Sequence, residues 1–493
     1  MKRGREAAPR ARGRRLLALL LALASAPIYA QTGAISSQSL FFDQASSAHG
    51  PNYLAAQTGL VYTDNVDLGN GGSGDTLAML GLLGNASGAR PHFDYRLTSD
   101  VSLVKYLHSS FQTQPFGYFD GTGDLNIVPG FFSWTVRDSY NQALIDPFLP
   151  ATPDNLENIN YVTTGPRLTM RPTLRTTITI DGTYSYIVTG SKSPRYVNID
   201  NHRYGGDITL SRAFTNTTSV YVTGSSQKIE FTDQVDNTNF RQDQAMAGLK
   251  FANARTLLEL AGGYTRLHLT ATTFVVTLRG VRTVSEDQTP GGATWQVDLA
   301  RLISPTQRVS LHAVKVVTDA SNLFRLNFDQ PVPSTVFNRI VTGQPFTDHN
   351  YAATWRLQAQ RTSLQISMVY DSQRYRVSPT SDVDVREAAA LLARRLSPVL
   401  NWDIGASYDH YSYVAGGNQN FINAITSLRW ALGPRLTLRG IYTHTSQTPN
   451  GYKDNQIGLT AAYALIGANS GSSEETAPGL QPTAPMSAQP RPL

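Results

Sequence analysis

Apolar and polar residues alternate along several stretches of the chain. From Leu400 to Asp409 every second residue is apolar, and the residues between are polar or small. The same alternation runs through Ile178–Tyr186, Trp295–Ala300 and Leu364–Asp371. Successive side chains of a strand point to opposite faces, so each stretch predicts a strand with one apolar face. The longest stretches reach roughly 9 to 10 residues, the length that a tilted strand needs to cross a membrane.

Short breaks and long polar stretches take turns between these strands. The short breaks are Gly84–Pro91, Pro129–Gly130, Arg171–Pro172, Asn216, Asn253–Ala254, Ser304–Pro305, Gln360–Arg361, Ser397–Pro398 and Gly433–Pro434. The long stretches include Asp64–Asp75, Ala143–Asn158, Ala271–Gly292 and Ser321–Asn350. Short periplasmic turns and long extracellular loops are typical of outer-membrane barrels. With a first strand near Tyr53–Asp64 and a last near Lys453–Leu465, the pattern predicts an all-β, transmembrane antiparallel β-barrel of about 18 to 20 strands.

Aromatic residues recur at similar depths on the predicted strands. Tyrosines lie about one membrane thickness after the short breaks: Tyr184, Tyr186, Tyr264, Tyr370 and Tyr408. The tryptophans are Trp134, Trp295, Trp355, Trp402 and Trp430. Aromatic girdles at the two membrane interfaces explain this recurrence, and ordinary core aromatics are the alternative.

The first thirty residues have the pattern of a secretory signal peptide. Seven basic residues precede an apolar run, Leu16–Ala24, and Ala30 is a small residue at a plausible cleavage position. Such a leader is removed from the mature protein, and an uncleaved membrane anchor is the alternative. The pair Arg14–Arg15 is also compatible with a twin-arginine export signal. Beyond it the chain contains no run of 18 or more apolar residues, which excludes a helical membrane protein.

Charge and cysteine content narrow the possible functions. Taking seven basic residues and one acidic residue of the leader from totals of 42 and 36 leaves 35 of each, so the mature chain is neutral and nucleic-acid binding is not expected. Absence of cysteine excludes disulfides, a thiol nucleophile and a thiolate metal site. We therefore predict a signal peptide at 1–30, a periplasmic segment at 31–52, the barrel at 53–465 and a disordered periplasmic tail at 466–493.

Charged residues on the non-apolar face should line the lumen, because a charge facing lipid at the midplane costs about 2–4 kcal/mol. Both signs are present, which suggests either a wall of ion pairs or arginines that track an acidic sugar polymer. The predicted pore-lining residues are Arg96, Asp100, Arg137, Arg167, Arg203, Asp207, Lys250, Asp298, Arg356, Asp371, Asp403, Arg429 and Arg439.

Motifs of known chemistry are missing from the sequence. We find no nucleotide-binding loop, metalloprotease motif or Gly-x-Ser-x-Gly elbow, so no catalytic, cofactor-binding or metal residues are predicted and the chain is not expected to be an enzyme. The loop from Asp64 to Asp75 is rich in Asp, Asn and Gly, but lacks the spacing and the final glutamate of an EF-hand. A solvated loop is favoured over a calcium loop.

The last predicted strand carries a possible assembly signal. Gly458 is followed by Tyr463 five positions later, which resembles the signal that the barrel-assembly machinery reads. We therefore expect that machinery and outer-membrane lipid as partners, in the outer membrane of a Gram-negative bacterium. No interface signature is evident, so a monomer is expected.

One region resembles a known family. It comprises Asp138–Gln142, Asp146–Pro147, Pro153–Asn160 and Thr164–Pro166, an Asn-rich loop followed by a strand that starts at Gly-Pro. This resembles outer-membrane β-barrel proteins associated with exopolysaccharide biosynthesis and PEP-CTERM sorting loci, with a similar pattern over roughly residues 40 to 465. The resemblance implies a role beside polysaccharide export, with polysaccharide and periplasmic export components as partners.

Three classes of function follow. The first is a porin-like channel or conduit linked to exopolysaccharide export. The second is a structural or adhesive outer-membrane protein that acts through its extracellular loops. An enzyme or a plugged, ligand-specific transporter is the third, but only Gln31–Asn52 precede the first strand, too few for a folded plug. The loops Ala143–Asn158 and Ser321–Asn350 are long and partly apolar, so we expect them to fold inward and constrict the pore.

Overall fold

The computed structural model describes residues 52–144, 152–190, 198–233, 237–277, 280–319, 343–376, 379–448 and 451–467. The predicted signal peptide, residues 31–51 and all but the first two residues of the predicted tail lie outside this part of the chain. The strands are β1 (Asn52–Thr63), β2 (Asp75–Arg90), β3 (Phe93–Tyr106), β4 (Gln114–Val128), β5 (Phe132–Leu144), β6 (Leu156–Thr173), β7 (Thr176–Thr189), β8 (Asn201–Ala213), β9 (Thr218–Phe231), β10 (Phe240–Ala252), β11 (Thr256–Thr277), β12 (Gly280–Gln288), β13 (Gly291–Ser304), β14 (Gln307–Thr318), β15 (Phe346–Gln358), β16 (Thr362–Tyr375), β17 (Val383–Ser397), β18 (Leu400–Tyr413), β19 (Gly417–Ala431), β20 (Leu436–Thr448) and β21 (Lys453–Ile466).

Each strand pairs antiparallel with its neighbour, and the ends of the sheet meet. β1 pairs with β21, with Leu60 opposite Leu459 and Thr63 opposite Gln456. β11 pairs with two strands: its first part, Thr256–Arg266, pairs with β13, and its last part, Leu269–Thr277, pairs with β12. β12 and β13 therefore together occupy one place in the wall. The result is a closed barrel of 20 strands, which confirms the predicted class. Closure leaves no sheet edge exposed to lipid.

The short breaks are the tight turns of one rim, with small shifts. The turn predicted at Gly84–Pro91 is confined to Pro91 and His92, because β2 continues to Arg90. The turn predicted at Arg171–Pro172 lies three residues later, since β6 accommodates the proline beside a register shift between Met170 and Thr173. Proline is tolerated where the ladder is already interrupted.

One predicted loop is wrong. Ala271–Gly292 was expected to be irregular, but its backbone forms the upper part of β11, then β12 and the start of β13. β11 is 22 residues long, and its upper part pairs with β12 from Leu269 opposite Gln288 to Thr277 opposite Gly280. The stretch is rich in Thr and Val, which favour strands. A strand hairpin therefore extends beyond the wall at the long-loop rim.

The outer surface of the barrel is apolar because the alternation puts one side chain in two outward. Met368 is 60% exposed, whereas its neighbour Ser367 is only 4% exposed on the lumen side. Large exposed apolar side chains recur at this outward position around the wall: Leu80, Ile208, Val222, Leu260, Leu311, Ile404, Ile422 and Leu459. An apolar exterior on a closed barrel is the surface that a lipid bilayer requires, and the chain is an outer-membrane barrel.

Aromatic side chains mark two levels on that exterior. Near the short-turn rim, the indole N–H of Trp134 donates to Thr164 Oγ1 at 2.8 Å, and that of Trp402 donates to Thr426 Oγ1 at 2.9 Å. Near the other rim, Tyr351 lies between Trp295 and Tyr370, with ring centroids 6.0 Å apart in both pairs. Trp295 therefore belongs to the tyrosine level, and the two levels lie where interfacial aromatics are favoured.

A charge placed on the lipid-facing exterior should destabilise the barrel. The same charge placed on the next residue of the strand, which faces the lumen, should not. We expect Leu260→Arg, which faces lipid, to lower the free energy of unfolding by about 2–4 kcal/mol. The matched variant Ala261→Arg faces the lumen and should change it by less than about 1 kcal/mol. Urea unfolding in lipid vesicles measures both. Equal losses for the two variants would contradict the assigned inward and outward faces.

Candidate functional site: the barrel lumen

The inner wall carries charged residues of both signs. All thirteen residues predicted to line the pore occupy inward-facing strand positions, opposite in parity to the exposed apolar set. Asp100 lies beside Gln57, whose Nε2 donates to its carboxylate at 2.6 Å. Arg96 is exposed in the lumen, whereas Arg203 is fully buried. The thirteen residues therefore share the inward face of the wall but differ in how far they are buried.

Several lumen charges form ion pairs with residues across neighbouring strands. Arg167 Nε lies 2.5 Å from Asp181 Oδ1, and Arg137 Nε lies 3.2 Å from Asp120 Oδ1. The remaining lumen pairs are Lys250–Glu259 at 3.2 Å, His312–Asp298 at 2.6 Å and Arg429–Asp403 at 3.7 Å. Such pairs hold charged side chains against the wall through charge-assisted hydrogen bonds.

Burial of the inward-facing residues differs between the two halves of the barrel. On β20, the inward residues Thr443, Thr445 and Gln447 near the long-loop rim are at most 2% exposed. Arg439, near the short turn of the same strand, is only partly buried. The same gradient occurs on β18, from Asp403 to the buried Tyr411. The lumen is thus packed toward the long loops and more open toward the short turns.

An apolar cluster fills part of the packed half. Its members come from the inward faces of β6 to β11 and from β14, and sequence reasoning missed them because a polar lumen was expected. A usable signal was present, since these strands turn apolar at alternate positions as they approach the long loops. The cluster contains Ile159, Tyr161, Ile187, Ile199, Ile229, Phe231, Phe240, Leu267, Leu269 and Val317.

Near the long loops β14 separates from β13 and bends into this cluster, whereas β15 stays paired with both β14 and β16. Pairing between β13 and β14 reaches Lys315, opposite Trp295, whereas pairing between β14 and β15 continues to Thr318, opposite Phe346. Above Lys315, consecutive residues are buried on both faces of the hairpin. They are Val316, Val317, Thr318, Asp319, Phe346, Thr347 and Asp348, none more than 5% exposed. A wall strand buries one face, so this hairpin lies inside the barrel.

Three polar contacts hold the inner hairpin to the wall. Arg203 Nη2 on β8 lies 2.5 Å from Asp319 Oδ2, and both side chains are at most 1% exposed. Gln242 Nε2 on β10 donates to the carbonyl of Val317 at 3.0 Å. The N–H of Gly343 donates to Asn237 Oδ1 at 3.2 Å. The contacts reach β8, β10 and the segment before β10, so the hairpin is fixed along an arc of the wall.

The Arg203–Asp319 pair is a fully buried contact between the wall and the hairpin. Removing one partner of a buried pair leaves an uncompensated charge and costs about 3–5 kcal/mol. Arg203 Nε also donates to Asn201 Oδ1 at 2.9 Å, so the guanidinium is oriented before Asp319 reaches it. The pair therefore acts as a latch between the wall and the hairpin.

The two loops expected to fold inward are described only at their ends. For Ser321–Asn350, the flanking Asp319 and the residues from Gly343 onward lie inside the barrel; residues 320–342 lie outside the described part of the chain. For Ala143–Asn158, β5 continues to Leu144 and β6 begins at Leu156, and residues 145–151 are not described.

The loop between β1 and β2 also folds inward. Asn65 organises it, because its side-chain Nδ2 donates to the carbonyls of Gly69 at 2.9 Å and Lys453 at 2.8 Å. Val66 and Leu68 are buried against inward residues of the neighbouring strands. Within the described ranges no group of three His, Asp or Glu residues is placed to hold a metal ion, and no helix there is long and apolar enough to cross a membrane.

No protein-family model and no curated protein matches the chain. Solved structures do match it at low identity. The FrpB iron transporter of Neisseria meningitidis is 8% identical, with a TM-score of 0.45 over 87% of this chain and 83% of that one. The siderophore receptor PiuA of Acinetobacter baumannii is 9% identical, with a TM-score of 0.44 over 85% and 82%. The ferric-catecholate import receptor Fiu of E. coli K12 is 10% identical, with a TM-score of 0.43 over 84% and 82%.

Breaking the latch should free the hairpin. Because the chain has no cysteine, Val317→Cys introduces a single reporter at a residue only 1% exposed. In this background we expect Arg203→Met to accelerate maleimide labelling at least tenfold, since a 3–5 kcal/mol loss corresponds to about two orders of magnitude or more in local opening. Adding Asp319→Asn should recover part of the protection, because the unpaired buried charge is then removed.

Two controls separate a local opening from general unfolding. A cysteine introduced in place of Thr443, buried on the distant β20, should stay slow to label when Arg203 is replaced. Arg96→Met removes an exposed lumen arginine and should leave the cysteine that replaces Val317 protected. Fast labelling at both introduced cysteines would indicate a destabilised barrel and would overturn the latch.

Proposed function

We propose that the chain is a porin-like channel of the outer membrane. The observation that carries this proposal is the closed 20-strand barrel with a charged inner wall that is open toward the short turns. Twenty strands enclose far more space than side chains alone can fill, since eight strands already make a filled interior. Water and solutes can occupy the remaining space.

The inner hairpin of β14 and β15 is the constriction in this proposal. It projects from the wall into the packed half of the lumen, between the long-loop rim and the open half. In such a channel, ions and solutes pass only through the part of the lumen cross-section that the hairpin does not occupy. Its latch to Arg203 then sets how much passage is available.

We further propose that the cargo is an exopolysaccharide. Support for this step comes from the sequence alone, from the resemblance of Asp138–Pro166 to barrels associated with exopolysaccharide loci. No catalytic step is part of the proposal. A deletion strain tests the link: it should retain polymer synthesis but secrete less polymer, and normal secretion would refute the polysaccharide assignment.

Planar-bilayer recordings test the channel itself. We expect purified full-length protein to give discrete conductance steps, and we expect Arg203→Met to give larger steps because the constriction is released. Arg394→Met, an exposed outward arginine at the short-turn rim, is the matched control and should conduct like the wild type. A silent bilayer for both the wild type and Arg203→Met would rule out the channel.

An adhesive or structural role is the second candidate, and the β11–β12 hairpin favours it. This hairpin has nine paired positions, from Leu269 opposite Gln288 to Thr277 opposite Gly280, so it presents a paired ribbon at the long-loop rim. Shortening it by replacing 270–287 with a Gly-Ser turn should leave conductance unchanged. If it also abolishes cell attachment to surfaces, adhesion through this ribbon is supported; unchanged attachment would argue against it.

A further inference from the structure

Two pairs of arginines lie directly opposite one another on the lumen side of the wall. Arg308 on β14 pairs in register with Arg356 on β15, and Arg429 on β19 pairs with Arg439 on β20. Like charges at directly opposed positions destabilise a sheet. Each pair therefore sets two positive charges side by side on the lumen face.

Both pairs belong to one basic arc near the short turns. Each of these arginines lies within four residues of a short turn, and Arg395 on β17 occupies the same depth between the two pairs. We call Arg308, Arg356, Arg395, Arg429 and Arg439 the basic arc. Among the described inward positions of β14 to β20 at this depth, Asp403 is the one carboxylate, 3.7 Å from Arg429.

The acidic residues of the same strands lie at the other end of the lumen. Asp348, Asp371, Glu387 and Asp409 face inward ten or more residues from the short turns, in the packed half. On β14 to β20 the two signs are therefore separated along the axis, whereas on other strands carboxylates such as Glu259 and Asp181 face the lumen near the short turns, paired with Lys250 and Arg167. Charge segregation of this kind makes the short-turn end attractive to anions and the far end attractive to cations.

The geometry of the arc fits oxyanions in particular. Guanidinium groups present a planar pair of donors that matches a carboxylate or sulfate. Gln365 Oε1 accepts from Arg356 Nη2 at 2.6 Å and from Nε at 3.2 Å, so this guanidinium is oriented by a neutral partner. An oriented guanidinium binds an anion with little further loss of entropy.

The short-turn rim around the arc is basic too. Arg175, Arg255, Arg361 and Arg435 lie in the turns themselves, and none of the nine turns contains Asp or Glu. Short turns face the periplasm in outer-membrane barrels. A basic rim that leads to a basic wall concentrates anions at the periplasmic mouth.

We infer that the basic arc binds the carboxylate groups of an acidic sugar chain that enters from the periplasmic side. This inference rests on the proposed channel and specifies its substrate as a polyanionic polysaccharide. Adjacent strands lie about 4.7–4.9 Å apart, so the arc from β14 to β20 offers donors along roughly 29 Å of wall, enough to contact several sugar units at once.

Oligogalacturonate is a suitable probe, with a maltooligosaccharide of equal length as the neutral control. We expect oligogalacturonate added at the periplasmic side to block the channel current and to bind the detergent-solubilised protein in calorimetry. The variant Arg308→Gln/Arg356→Gln/Arg429→Gln/Arg439→Gln should weaken both effects at least tenfold, since about one order of magnitude is lost for each 1.4 kcal/mol of charge-assisted contact.

A matched control keeps the same number of replaced arginines on the same rim. Arg90→Gln/Arg212→Gln/Arg301→Gln/Arg394→Gln removes arginines of the outward face near the short turns. It should bind oligogalacturonate within about threefold of wild type, because surface charges at this distance are screened at physiological salt. Melting and detergent gel mobility verify that both variants fold.

The possible outcomes separate the arc from the channel. Equal loss in both quadruple variants, or equal binding of the neutral sugar, would overturn the arc even where conductance supports the channel. Binding that depends on the arc in a protein that never conducts would support the arc and refute the channel. Competition by sulfate alone, with no preference for the oligomer, would show a simple anion site and overturn the polysaccharide assignment.

Discussion

Closure of the hydrogen-bond ladder is the constraint on which the rest of this structure depends. A backbone N–H or C=O left unpaired in hydrocarbon costs several kcal/mol, so a sheet can cross a bilayer only when its first and last strands meet. Here β1 and β21 provide that contact, although they are separated by nearly the whole sequence. Contacts of such long range are slow to form, which makes the closing step the expected bottleneck of folding.

Once the ladder is closed, the alternation of side chains along each strand determines which residues face lipid and which face the lumen. The outward positions carry the apolar residues and the aromatic levels, and the inward positions carry most of the charged residues of the spanning strands. A shift of one residue in any pairing would exchange the two faces. Register is therefore strongly specified, and the ion pairs between neighbouring strands, such as Arg167–Asp181, reinforce it.

Much of the fold and part of the candidate site could be predicted from the sequence, because the period of two and the turn residues are local signals. They located the short turns to within a few residues, identified the first and last strands and placed thirteen charged residues on one face. The inner hairpin could not be read in the same way. Its latch joins Arg203 to Asp319, 116 residues apart, and no local pattern reports such a contact. The β11–β12 ribbon was mistaken for a loop because the polar residues of β12 and the Pro290–Gly292 run that follows it suggested irregular backbone.

The departure of β14 from β13 has a mechanical consequence. Pairing of β13 with β14 ends at Lys315, so the hairpin above that point shares no ladder hydrogen bonds with β13. The hairpin is thus released from the lattice on its β13 side only, because β15 stays paired with β16 up to Phe346 opposite Tyr375. A change at the latch can therefore shift the free edge of β14 without breaking the ladder that crosses the membrane.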